Sequence, residues 1–190
     1  MKRSFVVTFL FLFVLSVHSQ EFVLTDNGFL DVKDNSKNYV VIEVPGKSKE
    51  ELYLTTKKYI NTLYNSPKFV VSDIENEQIV VDAIGSEIIK VIFRLNGSNL
   101  WQLNYKYVID FKDGRLRFSP IFKSLSNTED SQEIMLIGIS ALGNATGIFN
   151  EKGKILREKA KLEIESQVSE YLTLLKDHLL NVNSEENDNW

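Results

Sequence analysis

Four carboxylates fall within ten residues, Asp73, Glu75, Glu77 and Asp82. Two carboxylates flanking a glycosidic bond are enough to hydrolyse it, one as acid and one as base or nucleophile. The sequence around them speaks for a plainer use. Glu75-Asn76-Glu77 reads as a solvated turn, and Asp82 as the outward residue of a strand. A carboxylate-based hydrolase is thus the one enzyme class left open, and the expectation is that the protein is not an enzyme. Histidine, the usual general base, occurs only at His18 and His178. Cysteine is absent, and there is no nucleophile elbow, no histidine-rich metal spacing and no glycine-rich phosphate loop. "DNGFLDVKD" and "DGRLRFS" contain Asp and Gly without the alternating oxygen ligands of a calcium loop. No catalytic residue, metal or cofactor is expected.

Two groups of residues are better suited to binding. In "YKYVIDFKDGRLRFSP" the pair Asp113-Gly114 predicts a two-residue type I′ hairpin turn, which leaves Lys112 and Arg115 flanking the tip as contact points for a partner. The same turn fixes a register: Phe111 opposite Leu116, Ile109 opposite Phe118, Tyr107 near Pro120, and Asp110 opposite Arg117 on the other face. The alternative is a small apolar ligand carrier, with Phe69, Ile79, Phe93, Trp101 and Tyr171 lining a pocket between sheet and C-terminal helix. Such residues equally suit a filled core.

The elements that must position these groups follow from periodicity. Residues 20–38 form a polar lead-in or short hairpin, with turns at Asp26-Asn27-Gly28 and Asp34-Asn35-Ser36. "YVVIEV" reads as a strand closed by Pro45-Gly46. Ser48 and Glu51 make a capping box for a helix whose Leu52, Thr56, Tyr59, Ile60 and Leu63 form the buried stripe. After Pro67 the period becomes extended. "KFVVSDI", "QIVVDAI", "IIKVIFRL" and "LWQLNYKYVIDF" read as successive antiparallel strands, broken by "ENE", "GSE" and "NGSN". "EIMLIGISALGNATGIF" reads as a short helix plus a loop. Asn150 then caps a long helix with Leu156, Ala160, Ile164, Val168, Tyr171, Leu175, Leu179 and Val182 on one stripe. The fold class is therefore α+β, an antiparallel meander sheet covered on one face by a long C-terminal helix. Residues 39–183 make one domain, and 184–190 an acidic, disordered tail.

The compartment is written in the first twenty residues, "MKRSFVVTFLFLFVLSVHSQ". Two cations precede a thirteen-residue apolar run, Phe5 to Val17, shorter than the roughly 18 to 20 residues of a spanning helix. Residues 1–19 are expected to be a signal peptide cleaved after Ser19, leaving no transmembrane anchor and a periplasmic or secreted protein. Removing Lys2 and Arg3 leaves 20 basic against 26 acidic residues, a formal charge of −6. With no basic stripe to neutralise phosphates, nucleic acid is not an expected partner.

The order strand, helix, antiparallel strands carries a resemblance. "VIEVPGKSKEELYLTTKKYINTLYNSPKFVVSDIENEQIVVDAIG" followed by "YKYVIDFKDGRLRF" resembles a family of exported Bacteroidetes proteins, a domain of unknown function with a TATA-binding-protein-like fold. It covers Tyr39 to Pro120, with the "VPGKSKEELY" lead into the helix, the "YNSPKFVV" exit and the aromatic strand before "KDGRLRF" as its cues. Tyr59 stands where a tryptophan is expected, and Ile88 to Leu100 is longer than the pattern requires. The resemblance implies the fold and an exported setting, with no activity to carry over, and fold alone does not transmit function. The expectation is an exported non-enzymatic module that binds an envelope protein or glycan, or plays a structural part, in an unknown oligomeric state.

Overall fold

The structure, a computed structural model, describes residues 20–93, 97–129, 131–141 and 144–181. The expected signal peptide, with His18, and the expected tail lie outside the described residues, as does Val182.

The lead-in is a hairpin, β1 (Phe22–Thr25) and β2 (Gly28–Asp31), with Phe22 opposite Asp31. It is less polar than its composition suggests, because alternation gathers Phe22, Leu24 and Phe29 on one buried face. β3 (Val40–Glu43) alternates buried and exposed residues. The capping box that opens α1 (Lys49–Leu63) is formed: Glu51 N donates to Ser48 Oγ at 3.2 Å, and Ser48 N to Glu51 Oε2 at 2.7 Å. Its buried residues are Leu52, Tyr53, Thr56 and Ile60. Leu63, expected in the stripe, is 42% exposed, because the last turn of the helix runs out from under the core to the rim of a cleft.

Several strand boundaries differ from the expectation. Pro67–Val70 is a single helical turn, α2, whose Pro67 carbonyl accepts from Val71 N. Proline's fixed φ suits the first position of such a turn. Strand β4 therefore starts only at Val71 and ends at Ile74. "GSE" does not separate two strands. β5 (Gln78–Phe93) runs through it, pairing along its length with β6 (Gly97–Lys112). Ile84 faces Asn104 and Ile88 faces Gln102, so Gly85, Ser86 and Glu87 bulge against Leu103 alone.

β6 and β7 (Arg115–Asn127) hold the expected register, Phe111 to Leu116, Ile109 to Phe118, Tyr107 to Pro120 and Asp110 to Arg117. The turn itself is not type I′. That type needs positive φ at both central residues, and only Gly114 has it, at +72°. The tip is held from outside: Lys49 N donates to Asp113 Oδ1 and Gly114 N to Lys47 O, each at 2.8 Å.

The segment expected as helix plus loop is four strands, β8 (Glu133–Ile137), β9 (Ser140–Ala141), β10 (Asn144–Ala145) and β11 (Gly147–Phe149). A Cβ on Gly138 would lie 2.3 Å from Gly147 N, and one on Gly147 2.2 Å from Gly138 N. Both glycines serve a backbone crossing. Likewise Asn150 does not cap the long helix; its Oδ1 accepts from Lys152 N and Lys154 N, closing a turn. Helix α3 (Glu158–Asn181) begins later and buries Ala160, Ile164, Val168, Leu175 and Leu179 as expected, with Leu172 added.

Seven strands form the main sheet in the order β11-β8-β7-β6-β5-β4, with β3 also paired to β7. β4 to β8 is an antiparallel meander, while β11 runs parallel to β8. α3 and α1 lie on one face beside the β1–β2 hairpin. Where they meet the sheet, Ile79, Trp101, Ile109 and Phe118 of the strands and Ile164 and Val168 of α3 are at most 1% exposed. The hairpin is stitched to α3 by polar contacts: Glu165 Oε1 accepts from Leu24 N and from Lys161 Nζ, both at 2.6 Å. Lys176 pairs with Glu21 at 2.8 Å. No helix among the described residues is long and apolar enough to cross a membrane.

Candidate functional site

The carboxylates between residues 73 and 82 do not converge. Asp73 is held by the Tyr53 hydroxyl and by Lys57 Nζ at 2.8 Å, and the Lys57 hydrogen bond, then that of Tyr53, pulls its carboxyl below the usual range. Glu75 and Glu77 sit in the β4–β5 turn. Asp82 lies between Lys123 at 2.6 Å and Lys106 at 3.4 Å. His178 stacks on Tyr59 with ring centroids 4.3 Å apart. Among the described residues no three His, Cys, Asp or Glu side chains are placed to hold a metal ion.

The five residues considered for an apolar pocket are not brought together. Ile79 and Trp101 are buried in the core, at 0% and 1% exposure. Phe69 projects from α2, 77% exposed, with the Lys68 ammonium 4.9 Å from its ring. The Phe93 side chain lies outside those described. Tyr171 alone lines a cavity. Lys112 and Arg115 face each other across the hairpin tip and, with Tyr39, Val41 and Arg117, edge a groove of about 290 Å³.

The cavity at Tyr171 is an open cleft of about 400 Å³ between the sheet and both helices. Local structure explains each wall. On α3, Gln167, Glu170, Tyr171 and Leu174 recur at spacings of three and four, so they share a face. On β6, Tyr105 and Tyr107 are two apart and point to the same side of the sheet. The end of α1 contributes Tyr59 and Leu63, and the chain leaving it Tyr64 and Asn65. The fourth wall is the β5 bulge, Gly85, Ser86 and Glu87, held by a 3.1 Å bond from Gln102 Nε2 to Gly85 O.

Five of the seven tyrosines thus meet in one place. Tyr105 and Tyr107 stack with centroids 4.3 Å apart, Tyr107 and Tyr171 lie at 4.5 Å, and the hydroxyls of Tyr64 and Tyr105 are 2.9 Å apart. Burial pushes the phenols of Tyr64, Tyr105, Tyr107 and Tyr171 up, so they stay neutral. The Tyr171 hydroxyl is sealed from solvent and lacks a hydrogen bond of normal geometry; the nearby Tyr64 hydroxyl offsets only part of the burial effect. The cleft offers aromatic surface, phenol and amide hydrogen-bonding groups and two carboxylates, with no lysine or arginine in its lining. Sequence reasoning found only Tyr171 of this set. The available signal was tyrosine content and the Tyr105, Tyr107 alternation, but convergence with residues 59, 64 and 171 is set by topology.

Comparison with known proteins agrees with this architecture. Residues 39–120 match the model of a family described as a domain of unknown function (DUF4468) with TBP-like fold. The chain is similar in structure to a TBP-like protein from Parabacteroides distasonis, with a TM-score of 0.51 and 16% identity over 75% of this chain and 91% of that one. It is also similar to a DUF4468 family protein from Bacteroides ovatus, with a TM-score of 0.50 and 15% identity over 76% of this chain and 85% of that one. The search of curated proteins found no match. The resemblance read from Tyr39 to Pro120, and the α+β fold it implied, are borne out.

Proposed function

We propose, from a chain whose residues 39–120 carry a DUF4468 domain of TBP-like fold, that the protein is an exported, non-enzymatic binding module of the cell envelope or secreted space, holding its partner in the tyrosine-lined cleft. The observation that carries this reading is the convergence of tyrosines from α1, β6 and α3 on an open cavity. Tyrosine gives a large contact area with few rotatable bonds and a polar tip, which is what a recognition surface needs. Export is supported by the Lys2-Arg3 pair followed by the apolar run to Val17.

The absence of catalysis is supported by the carboxylates, since Asp73 and Asp82 are tied to lysines and the turn carboxylates stand apart from them. A binding role away from nucleic acid is supported by the acidic charge and by the pairing of Lys106, Arg117 and Lys123 with carboxylates on the open face of the sheet. The carrier alternative keeps one point in its favour, a cavity between sheet and α3 that includes Tyr171. The cleft's polar lining and open mouth suit a partner's surface better than a free apolar molecule.

The test is capture from the native envelope fraction with the wild-type protein and with Leu174→Arg, which changes an exposed rim residue without touching the core. A protein or glycan held by the first and lost by the second is expected. Identical sets would remove the cleft from the function. Amino-terminal sequencing of the native protein should begin at Gln20; an intact Met1 would overturn the export reading.

A further inference from the structure

We infer that the ligand group seated in this cleft is an organic cation, a lysine or arginine side chain presented by a peptide or protein. This rests on the binding-module reading and adds the chemistry of recognition to it. The faces of aromatic rings are the negative ends of a quadrupole and attract ammonium and guanidinium groups. Here Tyr105, Tyr107 and Tyr171 cluster at the back, and Tyr59 and Tyr64 stand at one side.

Two carboxylates complete the charge. Glu87 stands on the bulge and Glu170 on α3, both exposed and both lining the cleft. Among the described residues neither has a salt-bridge partner, whereas Asp73 and Asp110 each have one and Asp82 has two. Asp177 adds negative potential at Tyr59. The side-chain amide carbonyls of Asn65 and Gln167 line the cleft as acceptors, which is what a donor-only cation requires. A phosphate or carboxylate would meet Glu87 and Glu170 with no cation in the lining to offset them. A neutral sugar could stack on the rings but would leave both carboxylates without a counter-charge. The volume of about 400 Å³ admits a long basic side chain while its backbone stays at the mouth.

The experiment is an amide NMR titration of the full mature chain with blocked Gly-Arg-Gly and Gly-Lys-Gly peptides, with the neutral isostere Gly-norleucine-Gly, and with a chito-oligosaccharide. Shifts at Gly85 and Leu174 with the two cationic peptides are expected. Binding should weaken about five- to tenfold in the double variant Glu87→Gln/Glu170→Gln, and again as salt rises from about 0.05 to 0.5 M. Both side chains are exposed, so the variant keeps the fold, which its own amide spectrum verifies. Equal binding of the norleucine peptide, or indifference to the double substitution, would overturn the inference. If the oligosaccharide alone bound, the cation assignment would fall and the binding-module reading would stand. If no probe bound, the cation assignment would fall, and envelope capture with Leu174→Arg would decide the broader reading separately.

Discussion

The two faces of β5, β6 and β7 are built from the same strands and do opposite things with charge. On the open face each carboxylate of the ladder is met across the strands. Asp110 accepts from Gln78 at 2.7 Å and from Arg117 at 2.8 and 2.9 Å, while Asp82 takes Lys106 and Lys123. The Arg117 guanidinium also lies 5.3 Å from the centre of the Tyr39 ring. On the covered face the ladder is aromatic and aliphatic, and its charges enter only where the regular pairing fails. Glu87 stands without a salt-bridge partner at the bulge, where three residues oppose one. In the regular ladder Asp82 stands opposite Lys106 and Asp110 opposite Arg117, so these charges neutralise each other. A bulge takes residues out of register and leaves their charge for something else.

The comparison can be broken most forcefully at adjacent residues of β7. Phe118→Ala should cost about 3 to 5 kcal/mol, since Phe118 is fully buried against Phe22, Tyr107 and Tyr171. Its neighbour Arg117→Ala should stay within about 1 kcal/mol. Urea midpoints at unchanged slope measure both, and overlapping midpoints would mean the faces do not differ. Next is alkaline stability. Burial raises the folded-state phenols of Tyr64, Tyr105, Tyr107 and Tyr171, so their contribution is complete below about pH 10, the unfolded value, and is lost as pH rises past it. Phenolate absorbance from these rings should appear together with loss of circular dichroism; smooth titration of a folded protein would contradict the packed cluster.

Smaller effects sharpen the contrast. Tyr64→Phe removes the bond to the Tyr105 hydroxyl and should cost about 1 kcal/mol, independent of salt. A double-mutant cycle on Asp110 and Arg117 should give a coupling of about 0.2 to 1 kcal/mol that fades with added salt. A coupling that survived high salt would mark the open-face ladder as more than a solvated one.

What the sequence disclosed was local. The capping box needs Ser48 and Glu51 three residues apart, and the β6–β7 register needs only alternation around Asp113-Gly114; both are in place. Even there, the turn is not type I′, and its tip is bonded to Lys47 and Lys49, far off in sequence. Gly-Ser looks the same at a turn as at a bulge, so the continuity of β5 was hidden. The glycines of residues 133–149 weigh against a continuous helix, but the strands they serve are not readable, since the close approach of Gly138 to Gly147 is made by the fold. The expectation of an inward Phe69 starts a strand directly after Pro67, where a helical turn, Pro67–Val70, instead points it to solvent. The cleft was the least legible part, because Tyr59, Tyr105 and Tyr171 belong to three elements and each has an ordinary reason to be where it is.

The bond from Leu24 N to Glu165 spans 141 positions of the chain. A chain made N-terminus first carries Phe22 and Leu24 uncovered until α3 arrives, and closing so long a loop comes late in folding. The β1–β2 hairpin therefore waits for α3, and this part of the core closes only after residues 158–181 have been made.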